Sequence, residues 1–277
     1  MKSTLAAYAD GHEQHASAGV RIRSVDKALS IVELLSRHEG LPLIELARRL
    51  GLNQSTAHHL LATLQDRGFV EQDEQTRNYQ LGYGLVGLVS AFLQRSDLYT
   101  VALGPSRELR DGSGESVQFK VLRGISQIVL IDLVGSRPIQ IRAPVAEGIA
   151  ELHCTASGKV LLANEPEERR DAILTSVPLT RFTDNTITDV DELRVELTTI
   201  RLQGEAVDRE EKFDGVQCVA VPVFAQHGEC VGVSTVQFPK APSERIAELL
   251  ELTRTAASKI SRSLGHAPDA GHPTRRG

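Results

Sequence analysis

The sequence predicts an α+β protein in two parts: an N-terminal winged helix-turn-helix joined by a linker helix to a C-terminal α/β domain. Three observations carry this. Residues 43–81 read as a helix, a sharp turn, a second helix and a β-hairpin. The second helix of such a unit can enter the DNA major groove, with the hairpin behind it as a wing. Residues 83–95 then form a strongly apolar helical stretch. From Val117 onward, short alternating strands interleave with helices, the layout of an α/β layer domain.

The expected segments are a disordered leader at 1–20, a DNA-binding domain at 21–82, a linker helix at 83–97, an α/β domain at 98–265 and a disordered tail at 266–277. The leader, rich in Ala and His, lacks the apolar core of a signal peptide. Ser24 is placed to cap a first helix, with Val25, Leu29, Val32 and Leu35 at helical spacing and Gly40 as its stop. Leu41-Pro42 starts the next helix, whose stripe is Ile44, Ala47 and Leu50. Gly51 supplies its left-handed end, and residues 52–55 turn into the third helix.

The third helix separates into two faces. Ala57, Leu60, Leu61 and Leu64 form a core stripe. Ser55, His58, His59 and Ala62 lie opposite, with no carboxylate before Asp66. Gln54, Ser55 and Thr56 occupy the helix N-terminus, where backbone N–H groups favour an anion, and their side chains can read base edges. His58 and His59 are candidate DNA contacts, with a solvated surface role as the alternative for each. Residues 69–72 and 79–81 read as the strands of the wing, and Arg77 at its tip is a candidate phosphate or minor-groove contact, or else a solvated loop arginine.

Composition narrows the function classes without choosing among them. The chain has 277 residues, a formal net charge of −5, and 41% hydrophobic residues. No apolar run approaches the ~20 residues of a membrane span, so no membrane partner is expected. Cys154, Cys218 and Cys230 are too few and too widely spaced for a disulfide framework, which fits a cytoplasmic protein. Residues 20–90 carry eight positive and eight negative side chains. Bulk charge is therefore silent on nucleic acid, and the case rests on where particular residues point.

In the C-terminal part, strands are expected at 117–121, 127–134, 139–141, 216–224 and 231–238. Helices are expected at 156–163, 165–174, 190–202 and 243–264. Ser157-Gly158-Lys159 fails as a phosphate loop, because His153 and Val160 stand where that motif needs Gly and Ser or Thr. Gly158 is then a close-packing position and Lys159 a first-turn side chain. A nucleophile built on Cys218 with Cys154, His153 and Asp208 is conceivable, but His153 and Cys154 would diverge on an extended backbone. Zinc lacks any short ligand pair. No catalytic residue, metal or cofactor is assigned.

Several of these residues together resemble the IclR family of bacterial transcriptional regulators. They are residues 24–29 (SVDKAL), Glu45-Leu46-Ala47, Gly51-Leu52, Ser55-Thr56, 60–64 (LLATL) and 79–82 (YQLG). The likeness continues through 153–163 (HCTASGKVLLA), 208–211 (DREE), Gly215, Cys218 and Ala220-Val221-Pro222, and covers about residues 22–265. Three positions depart from the family pattern. His59 replaces an Arg common in the recognition helix, Glu205 an aromatic residue, and Glu151 a proline. The resemblance implies a GAF-like α/β effector-binding domain and a homodimer or dimer of dimers.

It also implies a small-molecule effector site at Ala156, Ser157, Asp208, Cys218, Thr235 and Gln237, with Ile139 and Arg142 as walls. Physically, residues 156–158 open a helix whose N–H groups can hold a carboxylate. Thr235 and Gln237 alternate to one strand face, where a solvent-facing edge is the competing reading. For Asp208 the competing reading, slightly favoured, is a structural carboxylate. The expected function is a ligand-responsive transcriptional repressor that binds double-stranded operator DNA and answers to a carboxylate or aromatic acid derivative. The alternative is a Cys218-centred small-molecule enzyme whose N-terminal helices are an interaction module.

Overall fold

A computed structural model describes residues 22–94, 97–136, 146–147, 151–176 and 178–266. The leader, nearly all of the tail, the strand expected at 139–141, and the candidate walls Ile139 and Arg142 lie outside the described residues. The chain divides into two compact units, Met1–Phe92 and Leu93–Gly277.

The first unit is a winged helix-turn-helix. Its elements are α1 (Arg23–Leu35), α2 (Leu43–Arg49), α3 (Gln54–Asp66), β1 (Val70–Gln72) and β2 (Tyr79–Leu81), and α4 (Gly84–Gln94) begins within it. Ile31, Leu35, Leu46, Leu61, Val70 and Tyr79 meet in one core. Two boundaries differ from expectation. Ser24 lies inside α1, and Ile22 holds the cap position without a side-chain bond. The helix also stops at Leu35 rather than Gly40. Beyond Leu35 the sequence has no apolar residue to extend the buried stripe, and His38 Nδ1 bonds back to the Leu34 carbonyl. Gly40 instead makes room for the wing, since a Cβ there would press on Asn78 at 3.3 Å. Next to it, Leu41 and Tyr79 exchange two backbone hydrogen bonds of 2.9 and 2.8 Å, which tie the wing to the helices.

Gly51 does take the left-handed conformation expected of it, with φ +61°. A second glycine group joins the wing to α4. Gly82 N donates to the Phe69 carbonyl, and Gly84 N donates to the Gly68 carbonyl at 2.8 Å. A side chain at Gly82 would collide with the Gly68 carbonyl, and Gly68 itself has φ +72°. Only glycine fits this joint.

The second unit carries a six-stranded antiparallel sheet of order β5-β4-β3-β8-β7-β6. The strands are β3 (Ser116–Arg123), β4 (Ser126–Leu133), β5 (Ala146–Glu147), β6 (Ala206–Arg209), β7 (Val216–Phe224) and β8 (Cys230–Pro239). Helices α5 (Asp97–Ser113) and α9 (Ser243–Ser263) pack on one face against Phe119, Val121, Val219, Val236 and Phe238. Helices α6 (Ala156–Asn164), α7 (Glu167–Ser176) and α8 (Val190–Gln203) belong to a core on the other face with Leu122, Ala206, Ala220 and Val233.

Three elements are not legible in the residue pattern: α5, β5 and β6. The buried stripe of α5 is Ala102, Ser106, Leu109 and Ser113, two of them polar, and Pro105, a residue that disfavours helix interiors, lies inside the helix. β6 is only four residues long and half charged.

Candidate DNA interface and effector pocket

Helix α3 presents the residues expected of a recognition helix. Asn53, a turn residue by sequence, caps it, its Oδ1 accepting from Thr56 N at 2.7 Å. Ala57, Leu61 and Leu64 are buried, and Leu60 packs half-buried on the same core. Gln54, Ser55, His58 and His59 are exposed, with Thr56 half-buried beside them. The two imidazoles meet edge to face with centroids 5.9 Å apart. No acidic residue occupies the first turn.

At the wing tip, Asp73 organises the turn. Its Oδ1 accepts from Gln75 N, Thr76 N and the Thr76 hydroxyl, and these bonds hold its carboxyl below the usual range. The turn forces exposed Arg77 to φ +59°, an uncommon conformation for a residue with a side chain.

The sheet's inner face and the start of α6 enclose a cavity of about 30 Å³, lined by Lys120, Thr155, Ser157, Asp208, Lys212, Phe213, Val216, Cys218, Thr235 and Gln237. The register explains the convergence. Asp208 sits opposite Cys218, Cys218 opposite Gln237, and Thr235 opposite Gln118, so all point to one face. Five of the eight residues that resemblance suggested line this cavity. Ala156 is fully buried in the adjoining core and does not line it.

Sequence reasoning misses Lys120, Thr155, Lys212, Phe213 and Val216. Lys120 is 2% exposed, on a strand whose alternation reads as one solvent face. The only hint is that a strand covered on both faces must bury its polar side as well. Thr155 is the N-cap of α6, its Oγ1 accepting from Gly158 N at 3.1 Å. Gly158 is a close-packing residue, since a side chain there would collide with Leu152.

Asp208 has both roles weighed for it: it lines the cavity, and its Oδ1 accepts from Glu211 N at 2.7 Å. Burial is the main cause that pushes its carboxyl up to about 7, partly opposed by that hydrogen bond and by Lys159 and Lys212. Lys159 is not merely a first-turn side chain. Its buried Nζ bonds Glu211 Oε1 at 2.6 Å and Glu196 Oε1 at 3.1 Å. Two departures from the family pattern form ion pairs: Glu151 with Lys212 at 3.2 Å, and Glu205 with Arg254 at the bidentate distances of 2.5 and 2.7 Å.

The nucleophile reading is opposed by the surroundings of its groups, not by the backbone: residues 153–154 form a turn rather than the extended stretch on which they would diverge. His153 Nε2 bonds the Thr180 carbonyl at 2.9 Å instead of a thiol. Burial raises the Cys154 thiol far above its usual range. Among the described residues, no group of three or more His, Cys, Asp or Glu side chains could hold a metal ion.

A larger cavity, about 350 Å³, lies at the other end of β8 between Leu98, Leu122, Cys230, Val231 and Leu264. Of its charged groups, Asp97, Arg123, Arg169 and Glu229 are exposed rim residues and Glu165 is half-buried, paired with Arg169 at 3.1 Å. Buried polar groups converge only on the smaller cavity, which is therefore the better candidate site.

Comparison with known proteins agrees with this architecture. The family model described as the IclR helix-turn-helix domain matches residues 24–74, and that of the bacterial transcriptional regulator IclR C-terminal domain matches residues 90–262. The chain is 34% identical over 252 residues to the HTH-type transcriptional regulator BhcR of Paracoccus denitrificans, covering 90% of each chain. It is 36% identical over 250 residues to the glycerol operon regulatory protein of Streptomyces coelicolor, covering 88% of this chain and 97% of that one. A crystal structure of an IclR transcriptional regulator from Alicyclobacillus acidocaldarius superposes with a TM-score of 0.79 at 28% identity, covering 89% of this chain and all of that one. These relatives are regulators and not enzymes. The chain belongs to the IclR family of bacterial transcriptional regulators.

Proposed function

We propose that this DNA-binding regulator is an effector-controlled repressor. Residues 21–82 read the operator, 83–97 link, and 98–265 bind the effector. Gln54, Ser55, Thr56, His58 and His59 face the groove, and Arg77 reaches a phosphate or the minor groove. The observation that supports this most directly is the exposed first half of α3: capped by Asn53, free of carboxylates, and backed by buried Ala57, Leu61 and Leu64. Exposed Tyr83, Val86, Leu88 and Val89 near the start of α4 support self-association. A two-fold homodimer, or a dimer of dimers, would set recognition helices at half-sites ~34 Å or a multiple apart. The protein acts in the cytoplasm; among the described residues no helix is long and apolar enough to cross a membrane.

The effector is a small carboxylate held in the cavity around Ser157, Asp208, Cys218, Thr235 and Gln237. Lys120 and Lys212 bring positive charge to it. A cavity of about 30 Å³ has room for little more than a water, so an aromatic ring would demand far more rearrangement than a short aliphatic acid. By linkage, an inducer that weakens operator binding must itself bind the DNA complex more weakly.

The test is operator affinity by fluorescence anisotropy on the chain's own upstream DNA. Ser55→Glu, at an exposed position, should weaken binding at least about tenfold by setting a carboxylate against phosphate. Ser157→Phe should spare operator binding and abolish the effector response. Unchanged affinity in the first variant would remove α3 from the groove; an intact response in the second would move the pocket.

A further inference from the structure

We infer that the effector pocket selects a small hydroxy acid, because its β8 wall is wired to accept hydrogen bonds. This rests on the cavity being the effector site. The wiring begins outside the pocket, at Asp132 on β4. A carboxylate can only accept. Gln118, buried on β3, donates its Nε2 to Asp132 Oδ1 at 3.2 Å. That fixes the Gln118 amide, so its Oε1 faces Gln237. Gln237 must then donate, and its Nε2 bonds Gln118 Oε1 at 3.0 Å. The Gln237 carbonyl oxygen takes no hydrogen bond from any described residue.

Thr235 is polarised the same way. Its hydroxyl has one hydrogen, which it donates to the Gln118 backbone carbonyl at 3.1 Å. Inside the cavity Thr235 can therefore only accept. It is 2% exposed, so an unmet lone pair there has little access to bulk water. Two neighbouring lining groups, Thr235 Oγ1 and Gln237 Oε1, thus call for a donor on the ligand.

The opposite side of the lining is mixed: Asp208 is an acid and Thr155 caps α6, but two lysines outnumber the one carboxyl. Lys120 and Lys212 carry positive charge, and Ser157 stands in the first turn of α6. A ligand that satisfies both sides has a carboxylate for the lysines and a hydroxyl for the β8 wall. A 2-oxo acid brings a further acceptor to an accepting wall. An unsubstituted acid leaves that wall unmet. Both should bind more weakly than the hydroxy acid.

The test is calorimetric titration of the full-length protein with matched probes: lactate, pyruvate and propionate, then 3-hydroxybutyrate, acetoacetate and butyrate. The hydroxy acid should bind at least about tenfold more tightly than its two partners in one of the sets. Thr235→Val, nearly isosteric, should lower hydroxy-acid affinity about five- to tenfold and leave the unsubstituted acid within about twofold. A misfolded pocket would lose both. Asp132→Lys, at an exposed position, replaces an acceptor by a donor. It should shrink the hydroxyl preference without touching the ligand. Equal affinities within both sets, or a preference untouched by Thr235→Val and Asp132→Lys, would overturn the wiring while leaving the carboxylate pocket standing. No binding by any of the six acids would overturn the carboxylate reading, and this inference with it.

Discussion

Replacing Asp208 by Asn should make the protein progressively more stable than wild type as the pH rises. Burial lifts this carboxyl from 3.8 to about 7 in the folded chain. A folded value above the unfolded one means that the native state holds the proton more tightly. The resulting stability is fully present below pH ~4 and is lost as the pH rises through about 7. At about 1.36 kcal/mol per pH unit, ionisation costs the wild-type fold up to about 4 kcal/mol above pH 7.

Asn removes the charge and keeps an oxygen for the Glu211 N–H. Its advantage over wild type should therefore grow by about 2–3 kcal/mol between pH 5 and pH 8. The lower value applies where water in the cavity reaches the carboxylate. Urea denaturation of both proteins across that range reads the difference. Any constant packing cost of Asn drops out, because only the slope matters. Parallel stability curves would mean that Asp208 titrates like an exposed carboxylate, and the desolvated pocket wall would be refuted.

Other perturbations separate structure from recognition. Arg77→Gly relieves the φ +59° strain and should leave stability unchanged or raise it by up to about 1 kcal/mol, while reducing the salt slope of operator binding by about one; an unchanged slope would take Arg77 off the phosphate. Lys159→Met strands buried Glu211 and should cost about 3–5 kcal/mol in urea denaturation. Adding Glu211→Leu should recover much of that loss, and no recovery would mean that the pair acts through packing rather than charge.

Much of the N-terminal unit can be read directly from the residues. The stripe of Ala57, Leu60, Leu61 and Leu64 has one spacing and one meaning, and Gly51 marks its turn. The C-terminal site is harder for a physical reason. Asp208, Cys218 and Gln237 are neighbours through strand register, and register follows from the whole sheet rather than any local pattern. Resemblance supplies those residues; periodicity does not. Lys120 and Gln118 sit on a strand with ordinary alternation, whose polar side reads as solvent until a second helix layer covers it. Helix α5 is hidden because two of its four buried positions, Ser106 and Ser113, are polar and Pro105 lies within it.

The joint of Gly68, Gly82 and Gly84 makes the end of α3 and the root of α4 one mechanical piece. Backbone bonds between them leave no slack for a loop to absorb motion. A twist of α4 about its own axis would reach α3 as torque on the groove-facing residues. The joint ties the two helices by backbone contact, and its missing side chains are what allow that approach.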